Sequence, residues 1–432
     1  MSGSRGIRGV FSLLRGNILV LTLTQVLGRF FRSMVMPYAS LYILALGGEP
    51  AQIGLINSLR PLAGLVMFPI SGYLTDRTGR VRLIAFAGYL SGATMLLYVL
   101  APSWEWIALA AFLQGFMTLQ FPPTSAIIAD SLEPSSRGTG IATMNTVASI
   151  LAIFSPYIAG TVIEIYGAAF GMRILYGLLA AAIIIGATIN LRYLKETSTK
   201  EGEKIRISDF TKIFKEVYSG IPSMLAELPR SVKALGVVLI LLFMCNGIAS
   251  PFWVVYAVEN IGLSSVEWGL ILLGEAALKT LLYIPAGMIV DRYGRTKFLL
   301  ASLLLTLISI PFFVYSTRFI EILLIRMAVA VATVFFIPAS SALMADIVPR
   351  ESRGRVMSAF GRGSVLIGAA GGGTGGPGMG FFITIPVMIA SVVGGILYSA
   401  NPAYPWFFVL AATAVSVIVS ALFIRDPTKA EV

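Results

Sequence analysis

Residues 72–80 read Gly-Tyr-Leu-Thr-Asp-Arg-Thr-Gly-Arg, and residues 287–295 read Gly-Met-Ile-Val-Asp-Arg-Tyr-Gly-Arg, 215 positions further on. The correspondence extends outward from this pair. Gly54-Leu55-Ile56 recurs as Gly269-Leu270-Ile271, and Pro122, Ala129, Asp130, Arg137 and Gly138 recur as Pro338, Ala345, Asp346, Arg353 and Gly354. Pro37 and Tyr42 keep the spacing of Pro251 and Tyr256. A match in kind and position over most of each half means that one architecture is built twice.

Composition says what that architecture is. Of 432 residues 57% are hydrophobic and 12% charged, against about 25% charged in soluble domains, which excludes a soluble enzyme and a disordered chain. There is no histidine and one cysteine, Cys245. Disulfide frameworks, zinc clusters and Cys/His nucleophile pairs are therefore out of reach, and neither a metal, a cofactor nor an enzymatic activity is expected. Apolar runs between turn or charge clusters predict twelve spans: 17–46, 51–75, 82–101, 104–130, 138–164, 170–192, 234–259, 265–290, 297–316, 319–346, 356–398 and 404–424. The expected fold is an all-α polytopic membrane protein with twelve transmembrane helices in two pseudo-symmetric six-helix bundles.

A net charge of +11 would suit nucleic-acid binding, but most of the 32 basic residues fall in the N-terminus, the loops after even-numbered spans and the C-terminus. That asymmetry is the positive-inside pattern of a cell-membrane protein with both termini cytoplasmic, and it excludes nucleic acid as the partner. Arg5, Arg8 and Arg15 precede the first span like the basic region of a signal sequence, yet Arg29 and Arg32 inside that span argue against cleavage. Residues 1–192 form the first bundle, 193–233 a polar linker and 234–432 the second bundle. In the linker Ile207, Phe210, Phe214, Val217 and Tyr218 recur at helical spacing beside Lys204, Arg206, Lys212 and Lys215. This suits either an amphipathic helix on the anionic inner leaflet or a solvated connector.

The doubled D-R-x-G-R turns, each followed by an Asp and an Arg-Gly at the next turn of the same side, resemble the signature loops of the major facilitator superfamily, and the resemblance covers the whole chain. It implies two bundles rocking about a central cavity lined mainly by helices 1, 4, 7 and 10, and a charge network that latches the cytoplasmic side. The gating residues would be Asp76, Arg77, Arg80, Asp130 and Arg137 with Asp291, Arg292, Arg295, Asp346 and Arg353. Physically, Gly79 permits the tight or left-handed conformation of the turn, and Asp130 and Glu133 stand ready for Arg77 and Arg80. A static clamp that only fixes topology is the alternative.

Five cations lie inside spans: Arg29, Arg32, Arg60, Lys279 and Arg326. Arg326, two turns into its helix, is expected to reach the outer interface. Arg29 lies about 18 Å from the start of its span, near the middle of a roughly 30 Å core. Thr22, Gln25, Arg29 and Arg32 share one helix face, Asn57, Arg60 and Gly64 another, and Glu275, Lys279 and Tyr283 a third. Arg60 and Glu275 are 215 positions apart and should sit at similar depth. Each buried cation costs about 2.5–3.5 kcal/mol, and Glu275 balances only one of them, most locally Lys279. The surplus points to an anionic solute, because guanidinium grips carboxylate or phosphate through paired donors; the alternative is that the arginines merely tie helices together.

The expected substrate contacts are Arg29, Arg32, Arg60 and Lys279, with Gln25, Asn57, Gln114, Asn246 and Trp253. Glu275 is the candidate for proton coupling. The function that follows is secondary active transport of a small solute by alternating access, the solute being an organic or inorganic anion, with proton coupling or exchange, by a chain that works as a monomer in the bilayer. The alternatives are a multidrug/proton antiporter using Glu275 and, more remotely, a transport-dead receptor. The halves differ in the eleventh span, which carries about 16 extra residues, rich in glycine at Gly371–Gly380. These form either a broken helix or re-entrant turn lining the cavity, or a hinge between a helix over 356–370 and a span starting near Phe381.

Overall fold

The computed structural model describes residues 13–75, 77–198, 228–348, 353–361, 364–371 and 380–426. Long apolar runs become helices, because a helix satisfies its own backbone in hydrocarbon. Spans 1 to 6 are Gly16–Ala45, Pro50–Thr75, Arg80–Leu100, 104–131, Arg137–Tyr166 and Ala168–Tyr193. Spans 7 to 12 are Arg230–Asn260, Ser265–Tyr293, Arg295–Tyr315, Phe319–Ile347, Phe381–Ala400 and Tyr404–Phe423.

Ten of these are long and apolar enough to cross a membrane, and span 2, bent by 43°, makes an eleventh. Span 4 completes the order, broken by a 3-10 turn at Gly115–Gln120. Pro122 and Pro123 follow that turn and supply no amide donors.

Spans 1 and 7 break at equivalent places, the 3-10 turns Met36–Tyr38 and Ser250–Phe252, around Pro37 and Pro251. The reversals after them also match, on Gly47 at φ 81° and Gly262 at φ 82°. Span 8 opens with a capping box, Ser264 accepting from the Glu267 amide at 3.1 Å while Glu267 accepts from the Ser264 amide at 2.8 Å. The signature turns do not match in conformation: Gly294 has φ 103°, but Gly79 has φ −60° and is extended. Of the two conformations open to Gly79, tight or left-handed, it does not take the left-handed one, which is found instead at Gly294 of the second turn.

In the first half span 1 packs on spans 5 and 6, span 3 on spans 4 and 6, and span 2 on span 4. The second half repeats the scheme, span 7 on 11 and 12, span 9 on 10 and 12, span 8 on 10. The halves meet where span 2 crosses span 11 and span 5 crosses span 8. Both crossings close on glycine at the end opposite the signature turns, here the far end. A Cβ on Gly54 would stand 2.4 Å from the Ser391 carbonyl oxygen, and one on Gly160 2.3 Å from that of Ser265. The Tyr38 hydroxyl reaches the carbonyls of Pro156 and Ser265, each at 2.9 Å, and the Ser265 amide donates to Glu164 Oε2 at 3.0 Å.

The apolar core follows the same division. One cluster, with Tyr38, Tyr42, Ile53, Trp253, Trp268 and Trp406, unites both halves. Two others belong to one half each: Ile18, Val81, Ile127 and Leu194 in the first, Val232, Leu299, Leu343 and Ile424 in the second. Span 8 packs on Ser155–Tyr166, the far part of span 5, rather than on Arg137–Ala152. Spans 5 and 8 therefore converge at the far end and part toward the signature turns.

Candidate functional site: the two polar centres

In the first half the polar stripe of span 1 is put to two uses. Arg29 donates to Ser149 Oγ at 2.5 Å and to the Asn145 carbonyl at 3.3 Å, so it ties span 1 to span 5. Arg32 and Arg60 are different. Both are half-buried, they lie within electrostatic reach of each other, and among the described residues neither has a hydrogen-bond or ion-pair partner. Tyr98 and Tyr176 lie near Arg60, with their rings stacked at 4.4 Å. On spans 1, 2 and 4, Asn57 donates to the Ile53 carbonyl at 2.9 Å, Gln114 is buried and donates to the Ser91 carbonyl at 3.3 Å, and Gln25 Oε1 is buried without a partner among the described residues. Span 4 reaches this centre because Gly115 lies against Arg60, where a Cβ would come within 2.7 Å of the Arg60 carbonyl oxygen.

The second half is closed on itself. Glu275, 5% exposed, is paired with Lys279 on its own helix and with Arg326 on span 10, whose Nε lies 3.0 Å from Glu275 Oε2. Arg326 is 0% exposed, which corrects its expected place at the outer interface. Its guanidinium extends inward, with Nη1 donating to the Gly368 carbonyl at 2.7 Å and the plane over Trp253, 4.5 Å from the ring centroid. Trp253 is 1% exposed and packed against Phe313 and Trp406, so the structure puts it in an aromatic wall. Asn246 spends both ends of its amide on backbone, donating to the Leu366 carbonyl at 2.7 Å and accepting from the Ala369 amide at 3.3 Å.

Sequence reasoning missed Arg326, Ser149, Tyr98 and Tyr176 as members of these centres. Arg326 carried a signal: Glu275 is one acid among several cations, so a second basic group at its depth had reason to turn toward it.

At the signature turns the described ion pairs join neighbouring spans of one half. Arg80 pairs with Asp130 and donates to Thr197 Oγ1 at 2.8 Å; Arg295 pairs with Asp346 and lies 4.0 Å from Asp291. Arg137 donates to the Ala129 carbonyl at 3.0 Å, while Arg77 and Arg292 lie over Tyr73 and Tyr293. Asp76, the side chain of Arg353, most of the linker and residues 372–379 fall outside the described residues. The expected helix over 356–370 is cut short at Phe360, and residues 364–371 are not helical. Among the described residues no group of acids, thiols or imidazoles is placed to hold a metal ion.

Twelve spans in two halves of matching packing, with charged side chains among the helices of each half, define a multi-pass membrane carrier. The sequence model of the Major Facilitator Superfamily matches residues 21–231 and 235–432, and the chain belongs to that superfamily. Its members here are secondary transporters and not enzymes. Among curated relatives, the chain is 27% identical over 340 residues to "Multidrug resistance protein MdtG" of Enterobacter lignolyticus (strain SCF1), covering 76% of this chain and 77% of that protein. It is 26% identical over 337 residues to the protein of that name from Klebsiella pneumoniae (strain 342), covering 76% and 78%. Among solved structures it is similar in fold to peptide transporter POT in complex with sulfate, with TM-score 0.68 and 15% identity over 97% of this chain and 95% of that one. A bacterial homolog to the human lysosomal transporter Spinster, in an inward-facing and unoccupied conformation, gives TM-score 0.67 at 15% identity over 97% and 98%.

Proposed function

We propose that this chain carries an anionic solute by alternating access, gripping it through Arg32 and Arg60. The observation that carries the reading is the pair of guanidinium groups in the middle of spans 1 and 2, which among the described residues are paired with no carboxylate. Two unneutralised cations in a bilayer core are costly, and an anion that accepts paired donors offsets that cost. Residues 1–192 and 234–432 act as the rocking bodies and one copy is the working unit. Joined at the far end and parted between spans 5 and 8 toward the signature turns, they have the shape of a carrier open to the cytoplasm, the orientation that the basic residues at the turns favour.

Glu275 is the proposed proton-coupling residue. A proton there would remove the charge that Arg326 and Lys279 share, so uptake of a proton is tied to rearrangement of span 10. A second reading, multidrug efflux coupled through the same Glu275, is favoured by the relatives named for multidrug resistance. Proteoliposome uptake of labelled organic anions and of lipophilic cations, with and without a pH gradient, separates the two. Flux of anions that Arg60→Ala abolishes supports the first; flux of cations alone overturns it. Glu275→Gln is expected to remove proton-driven accumulation while sparing exchange, and an unchanged pH response takes Glu275 out of the coupling.

A further inference from the structure

Residues 364–371, on the near side of the glycine-rich stretch, enter the polar centre of the second half. The helix Arg353–Phe360 ends at Gly361, which has φ 76°, and span 11 starts only at Phe381. The edges of the interval between them touch, since a Cβ on Gly380 would stand 2.0 Å from the Ala359 carbonyl oxygen and 2.5 Å from the Gly361 amide. Phe360 lies against Gly236 of span 7, whereas Gly371 lies at Ser250 of the same span, about 21 Å further along at 1.5 Å per residue. The Gly371 amide donates to the Ser250 carbonyl at 3.1 Å and its carbonyl accepts from Ser250 Oγ at 2.6 Å. On the other side, a Cβ on Gly371 would meet the Met36 carbonyl oxygen at 2.8 Å. Gly371 thus stands between the equivalent breaks of spans 7 and 1, and by Gly380 the chain is back beside its starting point.

Non-helical backbone survives at membrane depth only where protein satisfies it. Here the carbonyl of Leu366 accepts from Asn246, that of Ile367 from Thr333 Oγ1 at 3.1 Å, that of Gly368 from Arg326 and that of Gly371 from Ser250. Val365 and Ile367 are buried at 0% and 4%, while Leu366 between them is 48% exposed. The segment is therefore seated by one face and presents the other.

We propose that residues 364–371 are a resident ligand of the second half. The Gly368 carbonyl takes the donor of Arg326 that a solute oxygen would otherwise take, and recognition of the solute is left to Arg32 and Arg60. That division of labour rests on the anion reading above; the seating of the segment does not.

The test uses full-length protein in proteoliposomes with the buried Cys245 changed to Ser. Leu366→Cys and Ile367→Cys are each exposed to a water-soluble maleimide. Leu366→Cys is expected to react at least tenfold faster, and adding Ser250→Ala with Thr333→Val should raise the Ile367→Cys rate toward it. Equal rates in the parent background, or an Ile367→Cys rate that the added pair leaves unchanged, overturn the seating. For the division of labour, uptake of labelled benzoate and phenylphosphonate is measured. Arg60→Ala should cut it at least tenfold, and the Ser250→Ala/Thr333→Val pair should change it less than threefold while admitting bulkier naphthyl analogues. A loss in the pair as large as that of Arg60→Ala overturns the proposal. If the parent carries neither anion, the anion reading fails with the division of labour, and the maleimide rates still decide whether the segment is a resident ligand.

Discussion

The two halves share a packing scheme, paired breaks and paired turns, yet their polar centres are opposites. In the second, one carboxylate sits between Lys279 and Arg326, and a backbone carbonyl takes what remains of the arginine's donors. In the first, Arg32 and Arg60 stand half-buried with no such answer among the described residues. A duplicated fold can thus keep its scaffold symmetric and place stability in one centre and recognition in the other, because helix packing depends on small residues and shape while charge pairing depends on single side chains. The sharpest way to break this contrast is to give the second centre the condition of the first. Glu275→Ala leaves Arg326 buried and uncompensated, and removing one partner of a buried ion pair costs about 3–5 kcal/mol. A fall in thermal stability of the purified protein of that size is expected, partly recovered by adding Lys279→Met. A neutral outcome would mean that Glu275 is not the keystone of its half.

The converse substitution is expected to move a different quantity. Arg60→Ala removes a group with no hydrogen-bond or ion-pair partner among the described residues, so stability should change little while solute binding loses a charge-assisted contact worth about 1.5–3 kcal/mol, or roughly 10–100-fold in affinity. Arg32→Ala should behave alike. Unfolding, rather than weakened uptake, would show that these arginines hold the first half together.

How far this division was legible beforehand depends on the residue. The duplication, the helical class and the Glu275–Lys279 pair could be read directly, since repeats and i,i+4 spacing are properties of sequence. Arg326 could not, because depth counted along the helix ignores a side chain long enough to reach inward as readily as outward. Arg29 looked equivalent to Arg32 on the same helix face; the difference is Ser149, a neighbour supplied by the register between spans 1 and 5. The eleventh span was open between a hinge and a re-entrant turn because glycine composition excludes a continuous helix and says nothing of where the carbonyls find donors. For residues 364–371 those donors are Asn246, Thr333, Arg326 and Ser250, on two other spans, while residues 372–379, which hold most of the glycines, lie outside the described residues.

Arg29 sharpens the comparison within the first half. Its bonds to Ser149 and Asn145 make it a tie between helices, so Arg29→Ala should lower stability by about 0.5–1.5 kcal/mol and leave anion affinity within a few-fold. Thermal unfolding and uptake measured on the same preparation distinguish it from Arg32→Ala, which is expected to reverse the order of the two effects. If both variants lose affinity equally, Arg29 belongs to the binding site despite its partners.

The smallest effects are expected at the signature turns, where the halves are most alike in sequence. Arg80–Asp130 and Arg295–Asp346 are equivalent pairs, but the Asp130 side chain is 43% exposed and that of Asp346 only 16%. Exposed ion pairs contribute about 0.2–1 kcal/mol, so Asp130→Asn should fall at the lower edge of that range and Asp346→Asn nearer the upper. Both pairs join spans of one half, and a contact inside a rigid body is kept in every position of the rocking cycle. Transport rate should therefore follow stability and change little in either variant. A loss of more than about tenfold in rate with stability intact would mean that these carboxylates find partners across the halves in another conformation, and that the turns latch the carrier as well as clamp each half.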